Sequence, residues 1–66
     1  MSTFQERLQI EKSDLDEKIE KLSEFLPSEK FKEIAPTQQQ LLHRQIAFMQ
    51  GYSDVLKDRL EDLDRA

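Results

Sequence analysis

The second half of this 66-residue chain carries more apolar surface than one neighbouring helix covers. From Thr37 onward Leu42, Ile46, Met49, Tyr52, Leu56, Leu60 and Leu63 recur at three- and four-residue steps, the mark of a helical face packed on a neighbour. A second row, Leu41, Phe48 and Val55, repeats every seven residues and lies roughly 60 to 100° round the helix from the first. Ala47 and Gly51 extend that side with small residues that admit another backbone at close range. So short a chain has no third long element to absorb the surplus. The pattern therefore predicts a homo-oligomer joined through Leu41, Ala47, Phe48, Gly51 and Val55.

Length and composition favour the same reading. A domain of about 60 residues buries only about 60% of its unfolded surface and is marginal without a staple or a partner. The chain has no cysteine, which excludes a disulfide framework and thiolate metal sites and fits a reducing compartment. Its start, MSTFQERLQIEK, is charged from the sixth residue and has no apolar run. The expectation is a soluble cytoplasmic chain without signal peptide or membrane span. Fourteen acids against ten bases leave a formal charge of −4, which disfavours nucleic-acid polymers and anionic membranes as partners. One glycine, two prolines and abundant Glu, Lys, Leu and Gln, with no period-two alternation, place the chain in the all-α class.

The punctuation predicts an antiparallel helical hairpin forming a single domain over residues 1–66. Ser2 with Gln5 has capping-box spacing and opens a first helix over about 3–26. Phe4, Leu8, Leu15, Ile19, Leu22, Phe25 and Leu26 form its apolar stripe, and Pro27 stops it. Glu17 stands four residues before Lys21, a weakly stabilising pair. Ser28 caps a short turn over about 28–34, which Phe31 and Ile34 anchor and Pro36 ends. Thr37 with Gln40 repeats the capping spacing and opens a second helix over about 38–63, which frays into the last three residues.

The candidate functional residues are polar groups in apolar positions. Glu11 falls within the first helix's stripe, flanked by Arg7 and Lys18 on the Phe25 side. A carboxylate buried without a partner costs several kcal/mol, so Glu11 is either satisfied within its helix or orients Arg7 and Lys18 at a cleft between subunits. Gln45, Tyr52 and Arg59 lie on the second helix's packing face. An amide, a ring with a hydroxyl and a guanidinium suit a nucleobase, ribose or phosphate, and they suit an ordinary protein interface equally. His43, the single histidine, sits off the apolar face with no second metal-ligand residue type at a repeating spacing, so neither a metal site nor a cofactor is expected. No glycine-rich loop, nucleophile turn or paired-carboxylate constellation occurs, and the chain reads as no enzyme. Gly51 costs its helix about 1 kcal/mol relative to Ala. Either a close helix crossing or a backbone approach to a ligand compensates.

The run FQERLQIEKSDLDEKIEKLSEFLPSEKF, followed by QQQLLHRQIAFMQGYSDVLKDRL, resembles over nearly its whole length a group of small helical accessory proteins of tailed phages. Phe4, Arg7, Glu11, Lys12, Leu15, Asp16, Lys18, Ile19, Leu22, Phe25 and Phe31 in the first run, with Leu41, Leu42, Gln45, Met49, Tyr52, Leu56 and Arg59 in the second, carry the likeness. The resemblance implies an accessory protein that acts on the host from the cytoplasm of the infected bacterium. One class of such proteins oligomerises and traps nucleotide second messengers of bacterial immunity. The implied function is a non-catalytic sponge that holds a cyclic nucleotide or an ADP-ribose-type ligand in inter-subunit pockets. Arg7, Lys18 or Arg59 would take phosphate and Tyr52 or Phe25 a base, with Glu11 and Gln45 completing the site. The alternative is a helical interaction module that inhibits or recruits a host protein through the same apolar face. A structural adaptor without a ligand is a third reading.

Overall fold

The computed structural model describes residues 3–65, and among these the secondary structure is helical, with no strand. Helix α1 spans Phe4–Phe25, α2 is the single turn Glu29–Lys32, and α3 spans Pro36–Arg65. The two long helices of the one chain pack against each other as a hairpin measuring 47 × 20 × 14 Å.

Local chemistry explains the boundaries, with two corrections to the expected caps. Ser2 lies outside the described residues, and the capping box forms one residue later than the Ser2–Gln5 spacing predicts. Thr3 Oγ1 accepts from the Glu6 N–H at 3.1 Å while Glu6 Oε2 accepts from the Thr3 N–H at 3.4 Å. Gln5 is thereby freed for Asp64, to whose carboxylate it donates at 2.7 Å, joining the start of α1 to the end of α3. Pro36 begins α3 rather than ending the preceding turn. Its missing N–H is one that a first helical turn leaves unpaired anyway, so proline is well suited to that position, and Thr37 becomes an interior residue instead of a cap. The Gln39 side chain closes the junction by donating to the Ile34 carbonyl at 2.7 Å. At the other end α3 continues through Arg65, two residues beyond the predicted limit.

Ser28 caps α2 as its spacing predicts, accepting from the Phe31 N–H and donating to the Phe25 carbonyl at 2.6 Å. This turn drives Phe31 into the open end of the hairpin. There the ring is buried, edge-on to Phe25 at 5.8 Å and to His43 at 5.5 Å. The lone histidine thus helps to close the loop end, although it is exposed overall.

The contact between α1 and α3 is a seam of three- and four-residue steps on both helices. Buried or half-buried Leu8, Lys12, Leu15, Ile19, Leu22 and Leu26 meet Leu42, Ile46, Met49, Ser53, Leu56, Leu60 and Leu63. This is the spacing of antiparallel coiled-coil packing. Two members differ from expectation. Tyr52 is outside the seam, 48% exposed, and Ser53 takes its level at 8%. Glu11 is exposed, and the polar residue that enters the seam from α1 is Lys12. Neither Arg7 nor Lys18 pairs with Glu11 within the ion-pair distance, whereas the expected Glu17–Lys21 pair forms at 3.2 Å.

Lys12 and Ser53 meet on Asp16. The Lys12 ammonium lies 2.6 Å from Asp16 Oδ2, and the Ser53 hydroxyl donates to Oδ1. The Lys12 hydrogen bond, followed by that from Ser53, holds the Asp16 carboxyl below its usual value. A lowered folded-state value means that this contribution to stability is present above the unfolded carboxyl range and is lost as pH falls through the folded value.

Two outcomes follow. Leu56 has no exposed surface, and Leu56→Ala should cost about 2 to 5 kcal/mol of stability, read as a lowered midpoint in urea unfolding followed by circular dichroism. Asp16→Asn should destabilise the protein at pH 7 by more than it does in acid. A gap between parent and variant that stays constant from pH 7 to pH 3 would remove Asp16 from the pH response.

Candidate functional site

Antiparallel packing assigns each residue beside the seam to one of two sides. On both helices the residue one position before a seam residue is turned by about 100° from it. Because α1 and α3 run in opposite directions, these offsets fall on the same side of the hairpin. On α1 they bring out Arg7, Glu11, Asp14, Lys18, Lys21 and Phe25; on α3, Leu41, Gln45, Phe48, Tyr52, Val55, Arg59 and Asp62. A direct contact fixes the assignment. The Arg59 guanidinium lies 5.7 Å over the ring of Phe4, on the same side of α1.

All six sequence-derived ligand candidates, Arg7, Glu11, Lys18, Gln45, Tyr52 and Arg59, therefore share one broad face. Their order along it follows from the hydrogen bond that sets Asp16 opposite Ser53. Two residues further along α1 and two back along α3, Lys18 stands level with Gly51 and beside Tyr52. Glu11 and Arg7 lie toward the Val55 and Arg59 end, and Phe25 toward Leu41 and Gln45. The face is apolar and open: Phe48 is 69% exposed, Val55 54% and Leu41 44%. A shallow concavity of about 500 Å³ is lined by Leu41, Arg44, Gln45, Phe48, Met49 and Tyr52. A second, of about 340 Å³, lies between Phe4, Val55, Arg59 and Leu63, with Asp58 and Asp62 at its border.

Of the expected interface residues, Leu41, Phe48 and Val55 lie on this face and Gly51 borders it. Ala47 does not. It stands about half a turn round α3 from Leu56 and points away from both seam and face, because nine residues at about 100° each return close to the opposite side. Gly51 also makes no close helix crossing inside the hairpin. A Cβ built there meets no atom within 4 Å.

The reverse side has a different chemistry. Its concavity is lined by Gln9, Lys12, Ser13, Asp16, Glu17, Glu20 and Leu60, with one base, already bound to Asp16, among three acids. The Arg7 face sets Arg7, Lys18 and Arg59 against Glu11 alone among the ligand candidates. The first arrangement repels an anion, whereas on the second an anion is attracted only close to the basic side chains, because Asp14, Asp58 and Asp62 also lie on or beside that face. Sequence reasoning missed Lys12 and Ser53, and the available signal was the uninterrupted three-four spacing of positions 8 to 26 and 42 to 63, which includes both.

Among the described residues no group of histidines and acids is placed to hold a metal ion, and no helix is long and apolar enough to cross a membrane. Searches of curated proteins and of solved structures return no match. The family model described as Sequestin matches residues 2–62, nearly the whole length. The chain belongs to the Sequestin family.

Proposed function

We propose that this protein is a non-catalytic phage accessory protein. Assembled as a homo-oligomer in the cytoplasm of the infected host, it binds and sequesters a nucleotide second messenger of anti-phage immunity between its subunits. The observation that carries the reading is the single face on which three basic side chains, Arg7, Lys18 and Arg59, stand among exposed rings and aliphatic groups. Sequestration is the activity that the family's name denotes, and it requires affinity without chemistry. The face offers charge for phosphate, Tyr52 for stacking, and the Gln45 amide for a base or ribose edge. Copies that cover one another's apolar rows also enclose these groups, which raises the strength of each charged contact.

Native mass spectrometry before and after addition of cyclic dinucleotides and ADP-ribose derivatives tests this directly. The expected spectrum is a defined oligomer that gains ligand mass at a regular number of sites. Arg7→Ala and Lys18→Ala should keep the oligomer mass and weaken the ligand about tenfold or more each, the scale of a lost charged hydrogen bond. A clean oligomer that takes up nothing from the panel would overturn the nucleotide reading and leave the apolar face to a host protein.

A further inference from the structure

The outer row of α3 repeats the geometry of the row already packed. Leu41, Gln45, Phe48, Tyr52, Val55 and Arg59 follow steps of four and three, each one residue before a member of the α1 seam. A helix with two such rows about 100° apart is suited to two helical neighbours, of which the hairpin supplies one.

The residues bordering this row identify the second neighbour. Arg44, Gly51 and Asp58 stand seven residues apart along its outer edge, the flank where charged side chains set partner and orientation in coiled coils. Arg44 and Asp58 are exposed and form no ion pair among the described residues. Asp58 also sits between Asp54 and Asp62 at four-residue spacing, a like-charge ladder that weakens an isolated helix. Arg44 has no acid three or four residues away on either side. Each of the two residues lacks what the other offers, at equal distance from Gly51.

We infer that α3 pairs antiparallel with α3 of a second copy about a two-fold axis at Gly51, setting Arg44 of each chain against the partner's Asp58. This inference rests on the self-assembly stated above and specifies its geometry. In the core beside that flank, whose levels centre on residue 50, Phe48 opposes the partner's Tyr52, Gln45 opposes Val55, and Leu41 opposes the aliphatic stem of Arg59. This covers the row's apolar groups and keeps the Gln45 amide and an edge of Tyr52 on the side toward Lys18. Gly51 meets its own copy on the axis, where a side chain would hold the helices apart. That accounts for a glycine whose Cβ would find open space within its own chain. A parallel pairing would instead bring the two Asp54–Asp58–Asp62 ladders together at one end, with like charges adjacent. Because Lys18 is level with Gly51 and on the same side of the hairpin, the antiparallel pair also brings both Lys18 ammonium groups beside the axis. There the phosphate of a bound nucleotide would meet both.

The chain has no cysteine, so single substitutions report distances cleanly. Gly51→Cys protein treated with a short bis-maleimide should crosslink to itself. Arg44→Cys mixed with Asp58→Cys should give a crosslinked heterodimer, and Arg44→Cys alone should give none. In analytical ultracentrifugation Arg44→Asp or Asp58→Arg should each weaken the dimer about tenfold, and R44D/D58R should restore it, with circular dichroism confirming that every variant is folded. A dimer of unchanged mass that lacks the 44–58 crosslink or the charge-swap rescue would overturn this register while leaving self-assembly standing. A parent protein that sediments as a monomer at every concentration would overturn both.

Discussion

The antiparallel seam between α1 and α3 determines where every other group can point, and its single polar level fixes the register. Leucines, isoleucines and methionine fill the remaining levels, and apolar side chains at three-four spacing tolerate sliding by a turn. The Lys12–Asp16–Ser53 cluster does not. A slip of one turn would set the Asp16 carboxylate beside Met49 or Leu56 and leave it without the Ser53 hydroxyl as donor. Gln5 and Asp64 tie the far end of the hairpin in the same alignment. Caps at Thr3 and Ser28 then settle where each helix begins, and Phe31 plugs the loop end.

From that register follows the division of the molecule into two chemically distinct sides. The concavity lined by Gln9, Asp16, Glu17 and Glu20 is acidic, and its one lysine is committed to Asp16. The other side sets Arg7, Lys18 and Arg59, with a few acids, among exposed apolar groups. A net charge of −4 hides this contrast, since the sum over a chain says nothing about which face a small anion meets. The proposed nucleotide site and the proposed pairing of two α3 helices draw on the same side, so occupancy of the one and formation of the other are linked by mass action.

Much of this was legible in the residues. Periodicity alone showed two long helices, the turn between them and the second apolar row on α3, because burial follows the helical repeat whatever the details of packing. It was less able to rank neighbours at a single level. Tyr52 is the more apolar choice beside Ser53, and hydrophobicity placed it in the seam, yet the level is decided by a hydrogen bond to Asp16 that spans thirty-seven residues. Glu11 and Lys12 exchanged roles for the same reason. A lysine's long stem packs along a seam while its ammonium reaches a partner, whereas a glutamate at the edge simply stays in water. Thr3 with Glu6 has the same capping chemistry as the Ser2–Gln5 spacing, and Gln5 instead donates to Asp64.

At 20 Å wide and 14 Å thick, the hairpin is a ribbon with two sides more than a body with an inside. Among the described residues the buried apolar side chains are Leu8, Phe31 and Leu56 alone. No deep interior couples one broad side to the other. Changes well separated across the ribbon act independently, so the side that recruits can be rewritten residue by residue while the seam continues to hold the alignment. Such a molecule can alter what it grips without altering how it folds.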